Sequence, residues 1–178
     1  MDRMDRMEWM DLLEWIDSEG GPLVLVPGTA LAAWTGCAGA DYDRACRVDG
    51  FTGPLDVGGA QALVLGEEPM STAYLPEQGL LLRWMAAESE EAVLAAVPQA
   101  LRLASWEPES AWEVPDGPVY LFDAGWTGEE SAAEHRLRLD LPTGRHRVRA
   151  AHVEPDEETM LVLVRLEAAD EDPGRREA

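Results

Sequence analysis

Short apolar runs separated by glycine and proline are the feature that most constrains how this chain folds. Four to seven apolar residues between turn signals are too few for a stable helix and are typical of buried strands. The clearest runs are residues 23–26, 62–65, 80–85 and 119–122. From Val48 onward, glycine and proline recur between such runs, which is the pattern of turns joining strands. The sequence therefore predicts a chain that is mostly β.

The last third of the chain predicts a β-hairpin followed by a further strand. Residues 135–141 alternate between apolar and polar side chains, residues 142–144 form a turn, and residues 145–153 and 160–166 are strands. The Leu-Pro-Thr-Gly sequence suggests a type I turn with a glycine bulge. The apolar pattern instead favours a two-residue turn, with Leu139 across from Val148 and Leu141 across from His146. We follow the pattern.

Two segments have the periodicity of amphipathic helices. In residues 7–17, the apolar side chains of Trp9, Leu12, Leu13 and Ile16 share one helical face. In residues 89–105, Ser89 is placed to cap the helix, and Pro98 is expected to kink or split it. The predicted class is α+β, predominantly antiparallel β, with about eight short strands and two main helices.

The chain also contains a repeated pattern. Trp15, then Gly-Pro and a strand from residue 21, then Trp34-Thr-Gly, resembles Trp112, then Gly-Pro and a strand from residue 117, then Trp126-Thr-Gly. Chance similarity is the alternative explanation. We predict a single globular domain over residues 1–166, with candidate lobes 15–87 and 106–166 linked by helix 89–105. Residues 167–178 are predicted to be a disordered acidic tail.

Charge limits the partners that this chain can bind. Asp and Glu number 35 against 14 basic residues, all of them Arg, which gives a net charge of −21. Such a charge disfavours nucleic acid and anionic membranes, and it favours a basic partner. The alternative is that acidity only maintains solubility. Because no apolar run approaches the roughly 18 residues of a membrane span and no signal peptide is evident, we expect a cytoplasmic protein.

No motif predicts catalysis, a metal site or a cofactor. The only cysteines, Cys37 and Cys46, are expected to be buried thiols, with a single disulfide as the alternative. His135, His146 and His152 fall on the predicted hairpin and are interpreted as ordinary sheet residues rather than zinc ligands. The chain lacks a nucleophile motif and a phosphate-binding glycine loop. We therefore predict that it is not an enzyme.

Two charged segments are candidates for surface contacts. A series of arginines could bind phosphate or RNA, but without interleaved aromatic residues it is better explained by salt bridges to the chain's own acids; its members are Arg136, Arg138, Arg145, Arg147 and Arg149. The acidic turn at residues 154–158 is predicted to project between two strands, as a partner-binding loop or a merely solvated one. Its candidate contact residues are Glu154, Asp156, Glu157 and Glu158.

Several motifs together resemble the immunity protein 21 family of bacterial polymorphic toxin systems. They are Trp15 with residues 21–27, Trp34-x-Gly36, Asp41-Tyr-Asp-Arg-Ala-Cys46, residues 62–69, and Arg83-Trp84. The stretch Leu121-Phe-Asp-Ala124, with Leu141-Pro-x-Gly144, also resembles the nuclease-inhibitor family related to competence protein J. These motifs span residues 15–166.

The resemblance implies a protein that binds and neutralises a cognate toxin by stoichiometric protein–protein contact. A basic toxin domain such as a nuclease would suit the acidity of the chain. The resemblance assigns no toxin-contacting residue and implies no cofactor. It also implies that the adjacent gene encodes a large protein with a C-terminal toxin domain. The alternative function is a small-molecule or glycan-binding β module, and the sequence leaves the oligomeric state open.

Overall fold

Ten strands form two antiparallel sheets in the described part of the protein. The computed structural model describes residues 13–108 and 110–169. The strands are β1 (Leu23–Pro27), β2 (Thr52–Val57), β3 (Ala60–Leu65), β4 (Ser71–Leu75), β5 (Leu80–Ala86), β6 (Ser110–Val114), β7 (Val119–Asp123), β8 (Leu137–Leu139), β9 (Gly144–Asp156) and β10 (Thr159–Ala168). The α-helices are α1 (Asp41–Cys46) and α2 (Glu90–Leu103), and 3-10 helices cover Gly28–Ala33, Gly36–Ala38 and Glu130–Ala132. The predicted α+β, mostly antiparallel class is confirmed.

Each sheet contains strands from both halves of the chain. Sheet I has the order β2-β3-β1-β7-β8, and sheet II has the order β4-β5-β10-β9-β6. The central pairs, β1 with β7 and β5 with β10, each join an early strand to a late one. The candidate lobes 15–87 and 106–166 therefore both contribute strands to both sheets, and neither forms a sheet alone.

The hydrophobic core has three layers. The largest cluster combines residues of both sheets, such as Leu25 and Leu121 of sheet I with Leu81 and Val162 of sheet II, and so lies between the sheets. Helix α2 covers the outer face of sheet II, and the segments 28–38 and 41–46 cover the outer face of sheet I. Because the central strands are buried on both faces, their sequences are continuous apolar runs rather than alternating ones.

Helix α2 agrees with its predicted capping. The Ser89 side chain accepts a hydrogen bond of 3.1 Å from the Ala92 N–H, which satisfies a donor that the helix itself leaves free. Glu90 and Glu91 follow in the first turn, where negative charge is favourable. The helix continues through Pro98 to Leu103, so the predicted split does not occur.

The predicted helix at residues 7–17 is wrong where it can be compared. Residues 7–12 lie outside the described residues, and residues 13–17 are not helical. Ile16 instead exchanges two backbone hydrogen bonds, of 2.8 and 2.9 Å, with Thr72 of β4. Of the described residues on the predicted helical face, Ile16 enters the core between the sheets, whereas Leu13 packs outside sheet II beside Trp15.

The predicted C-terminal hairpin is also wrong. Leu139 pairs with Val119 in sheet I, whereas Val148 pairs with Ser110 and Leu166 in sheet II. Residues 140–143 therefore connect the two sheets and do not form a turn within one. Alternation specifies which face of a strand is buried, but it does not specify the strand that pairs with it.

Three strands and the end of β10 were not predicted. Strands β2, β4 and β6 each lie at the edge of a sheet. Pro54 within β2 is compatible with that position because an edge strand needs fewer backbone donors. Glu167 and Ala168, assigned by the sequence to the acidic tail, belong to β10. Residues 170–178 lie outside the described residues.

Candidate functional site

The acidic turn predicted as a contact loop lies at the tip of the hairpin formed by β9 and β10. Asp156 pairs with Thr159, and Glu157 and Glu158 form the two-residue connection. The Asp156 carboxylate accepts a hydrogen bond of 2.9 Å from the Glu158 N–H, which fixes the turn. All four candidate side chains, including that of Glu154 in β9, are exposed. Their carboxylates are therefore available to a partner.

The beginning of helix α2 lies beside this turn. Glu88 and Ala92 line a shallow cleft of about 360 Å³ together with residues 156–159. Glu88 is exposed, so it adds a further carboxylate next to the turn. The cleft is open to solvent and is lined by acidic and small side chains, so it resembles a surface depression more than a ligand cavity.

Other acidic residues lie at the same end of sheet II because of the strand register. Trp84 pairs with Ser71 of β4 on one side and with Leu161 of β10 on the other. The start of β4, the end of β5, the start of β10 and the end of β9 are therefore neighbours. We call this region the acidic end, and define it by Asp17, Glu67, Glu68, Glu88, Asp156, Glu157 and Glu158.

The acidic end has no neutralising arginine in its own segments. Residues 17–21, 66–71, 86–91 and 154–160 together contain eleven Glu and Asp residues and no Arg. Asp17 accepts a hydrogen bond from the Ser71 hydroxyl, which holds the segment before β1 against the start of β4. The negative charge is therefore concentrated where several chain segments meet.

A pair of tryptophans lies next to these carboxylates. The rings of Trp15 and Trp84 contact each other edge to face, with centroids 5.7 Å apart. The Trp15 indole N–H donates a hydrogen bond of 2.8 Å to Glu90 in the first turn of α2. Both side chains are half-buried. Half-buried tryptophan surrounded by charge is a common composition of protein–protein contact surfaces.

Comparison with known proteins identifies the family. A family model described as immunity protein 21 matches residues 14–159, which is most of the chain. The chain belongs to the immunity protein 21 family. No curated protein and no solved structure matches it significantly. The family consists of immunity proteins of toxin systems, which generally do not act as catalysts. The additional resemblance to the competence protein J family stays a prediction.

The arginines of this immunity protein do not form one continuous series. Arg136 and Arg138 belong to the region of β8 in sheet I, whereas the other three lie on β9 in sheet II. Arg138 pairs with Asp140, and Arg149 pairs with Glu167, each at 3.0 Å. Arg136 instead stacks over the Tyr120 ring at 4.1 Å. Two of these arginines are thus paired with the chain's own acids, as the sequence predicted.

The histidines and cysteines of this immunity protein form no metal site in the described residues. His146 is buried beside Trp112, with ring centroids 6.2 Å apart, whereas His135 and His152 are exposed. Cys37 and Cys46 are exposed free thiols, so the prediction that they are buried is wrong. The pKa of the Tyr42 hydroxyl is raised, mainly by its hydrogen bond with the Cys46 thiol and secondly by burial.

A membrane-spanning helix is also absent from the described part of this immunity protein, because neither α1 nor α2 is long and apolar enough to cross a bilayer. The sequence reasoning identified only one of the acidic segments that meet at the acidic end. Glu67 and Glu68 follow the apolar run at residues 62–65, but their position near the β9–β10 hairpin depends on the strand order of sheet II. That order leaves no signal in the local sequence.

Proposed function

We propose that this protein binds and neutralises a cognate toxin by stoichiometric protein–protein contact, with the acidic end as the contact surface. The observation that supports this most directly is the convergence of carboxylates from four strand ends without an intervening arginine. Membership of the immunity protein 21 family supports the class of partner. A basic toxin domain such as a nuclease is the partner that the charge fits best.

Charge suggests how neutralisation works. A nuclease binds its substrate through basic groups that contact the phosphate backbone. A protein surface carrying closely spaced carboxylates competes with nucleic acid for those same groups. The net charge of −21 would also draw a basic toxin toward this protein before contact is made. Steering and competition therefore depend on the same acidic residues.

The tryptophan pair supplies the apolar part of the proposed surface. Charged residues at the rim of an interface mainly affect association, whereas partly buried aromatic residues carry much of the binding free energy. Trp15 and Trp84 lie beside the acidic end; the hydrogen bond to Glu90 holds Trp15, and the ring of Trp84 packs against that of Trp15. We expect them to determine how slowly the complex dissociates.

The clefts favour a protein partner over a small molecule. One cleft, of about 360 Å³, lies at the acidic end, and another, of about 250 Å³, lies between Trp34 and Thr127. Both open broadly to solvent, and their linings are mainly small or acidic. A small-molecule or glycan site would need an enclosed apolar pocket with converging polar groups.

The test uses the C-terminal domain of the large protein encoded by the adjacent gene. Titration calorimetry with the full-length wild-type protein should give a saturable complex of fixed stoichiometry, and the same addition should abolish the toxicity of that domain. The variant with Glu154→Gln, Asp156→Asn, Glu157→Gln and Glu158→Gln should bind more weakly by at least about tenfold.

The matched control removes three glutamates and one aspartate elsewhere, with Glu77→Gln, Glu107→Gln, Glu113→Gln and Asp116→Asn, all of them exposed. It should bind within about twofold of the wild type. A wild-type protein that does not bind the domain would refute the proposed function. Equal weakening by both variants would support a general charge effect and would remove the acidic end as the contact surface.

A further inference from the structure

Arg83 is a buried base without an acidic partner among the described residues. Its side chain has no exposure to solvent and, like its strand neighbour Leu81, faces the core between the two sheets. Burial lowers the pKa of its guanidinium to about 10. Buried arginine is usually compensated by a carboxylate, because an unpaired charge is costly to remove from water. Arg83 instead contacts only neutral oxygen atoms.

Those contacts hold both ends of one surface turn. The Arg83 Nη1 donates a hydrogen bond of 2.9 Å to the carbonyl of Gly66, where the turn begins. Its Nε donates at 3.2 Å to the Thr72 hydroxyl, which donates at 3.0 Å to the carbonyl of Met70, where the turn ends. Nη2, on the same guanidinium, has no hydrogen-bond partner in the described part of the chain.

The turn itself presents two carboxylates at the acidic end. Glu67, Glu68 and Pro69 are exposed, whereas Gly66 and Met70 on either side are buried. Glu67 has a φ of 63°, the only positive value among the described residues other than glycine. A glutamate adopts this left-handed conformation only when its surroundings impose it. The residues on either side of Glu67 are held in place, Gly66 by Arg83 and by its own N–H bond of 2.9 Å to the Phe51 carbonyl, and Met70 through Thr72.

We propose that the turn at residues 67–69 is a second contact segment for a basic toxin, and that Arg83 is the positioning residue that fixes it. This inference rests on the proposed function. An apolar side chain at position 83 would avoid the cost of burying an unpaired charge. The presence of arginine is explained if the position of the two carboxylates matters more than that cost.

The spacing of the two acidic turns fits one interface. The start of β4 and the end of β9 are separated by β5 and β10, so these two strand ends lie about 14 Å apart across the sheet. A typical protein–protein interface covers about 800 Å² on each partner and so spans about 30 Å. One toxin surface can therefore contact both turns at once.

The first experiment measures association with the toxin domain encoded by the adjacent gene, at low and at physiological salt. Glu67→Gln with Glu68→Gln should reduce the association rate constant about three- to tenfold at low salt and less at higher salt. The control, Glu77→Gln with Glu113→Gln, removes two exposed charges that lie away from the acidic end. It should change the association rate constant by less than about twofold.

Arg83→Met tests the positioning role through the sign of its effect. This substitution makes the protein one charge more negative, so steering alone would speed association with a basic toxin. If the substitution instead displaces the turn at residues 67–69, association with the toxin domain should become slower. In the Glu67→Gln, Glu68→Gln background, Arg83→Met should cause no further loss, because Arg83 would act only through those two carboxylates.

The outcomes separate this inference from the proposed function. If the wild type binds and neutralises the toxin but Glu67→Gln with Glu68→Gln behaves like the control, the turn at residues 67–69 is not part of the contact surface, and neutralisation through the β9–β10 turn still stands. If Arg83→Met slows association equally in both backgrounds, or speeds it, the positioning role is refuted. The glutamate variants keep the test decisive even if Arg83→Met does not fold.

Discussion

Leu25 of β1 lies directly across from Leu121 of β7, and each is the fifth residue of a Gly-Pro-strand motif. Equivalent residues meet in this way only when two copies of a motif are related by a local two-fold axis through the pair. The flanking pairs obey the same two-fold symmetry. Leu23 pairs with Asp123, and Pro27, which corresponds to Asp123 in the motif, pairs with Val119, which corresponds to Leu23. The repeated pattern in the sequence thus corresponds to a symmetric pairing at the centre of sheet I.

The symmetry extends to eight of the ten described strands. Sheet I contains β3-β1 followed by β7-β8, and sheet II contains β4-β5 followed by β10-β9, while β2 and β6 flank these sets. The equivalent strands β5 and β10 each contain one arginine, Arg83 and Arg165, but these two residues are not in equivalent positions. Arg83 faces the core between the sheets, whereas Arg165 stacks over Trp106, at 4.9 Å, on the outer face. The topology supports internal duplication, but in β5 and β10 the two copies differ in register, so that their arginines face opposite sides of sheet II.

Association with the toxin should be fast and sensitive to salt. Because screening shortens the reach of the field to about 8 Å at physiological ionic strength, added salt should slow association much more than it speeds dissociation. Glu157→Ala with Glu158→Ala should reduce this salt dependence, and Glu77→Ala with Glu113→Ala should not. Stopped-flow kinetics from low to high salt measures both. An association rate that is flat in salt would contradict electrostatic steering.

Asp41 should contribute stability at neutral pH that is lost in acid. Burial would raise the pKa of this carboxyl, but hydrogen bonds from Thr35 and Arg44 outweigh it, and the pKa is lowered below 3.8. A lowered pKa in the folded state stabilises the protein above the unfolded value and ceases to do so as pH falls. Asp41→Asn should cost about 1–3 kcal/mol at pH 7 in urea unfolding, and its cost should shrink below about pH 4.

That pH dependence has a simple control. Asp43→Asn, on the same short helix but exposed, should change stability by less than about 0.5 kcal/mol at either pH. A cost for Asp41→Asn that is the same at pH 7 and at pH 3 would show that its carboxylate charge is not what stabilises the fold.

Gly128→Ala should destabilise the protein severely. A methyl group at this position would lie 1.7 Å from the carbonyl oxygen of Leu31, so the backbone would have to move. That movement would break the hydrogen bond of 3.0 Å from the Gly128 N–H to Trp34, which joins the two Trp-Thr-Gly motifs. We expect a loss of about 3 kcal/mol. Gly125→Ala, whose nearest contact would be a side-chain oxygen at 3.2 Å, should lose much less by the same denaturation assay.

Ser89→Ala should loosen the start of α2. It removes the acceptor for the Ala92 N–H and should cost about 1 kcal/mol in thermal or urea unfolding. Ser105→Ala, an exposed position beyond the end of the helix, is the control and should be neutral. If both substitutions have the same effect, the cap is not a source of stability.

The sequence predicted the elements whose signals are local. β1 and β7 follow from apolar runs next to Gly-Pro, and α2 follows from Ser89 and its apolar stripe. The partner of β8 could not be predicted, because Leu137 and Leu139 need only a buried face, and either sheet offers one. The bridge formed by Ile16 was missed for the same reason, since apolar spacing does not reveal the strand that it meets.

The candidate site was predictable only in part. The exposure of Glu157 and Glu158 follows from an acidic turn between two strands. Their proximity to Glu67 and Glu88 follows from the order of β4, β5, β10 and β9, which depends on contacts distant in sequence. In the sequence, Arg83 is a single charged residue within the run at residues 80–85, and its burial depends on which face of β5 meets the other sheet.

The interleaving of the two halves has a consequence during synthesis. β1 pairs with a strand that leaves the ribosome about 100 residues later, and β5 waits almost as long for β10. At ~5–20 residues per second, each central strand stays without that partner for roughly 5–20 s. Sheet I is complete once β8 is made, but sheet II, with the acidic turn between β9 and β10, is complete only when β10, the last of the described strands, is made. A cell that depends on this protein would therefore gain nothing from a partly translated chain.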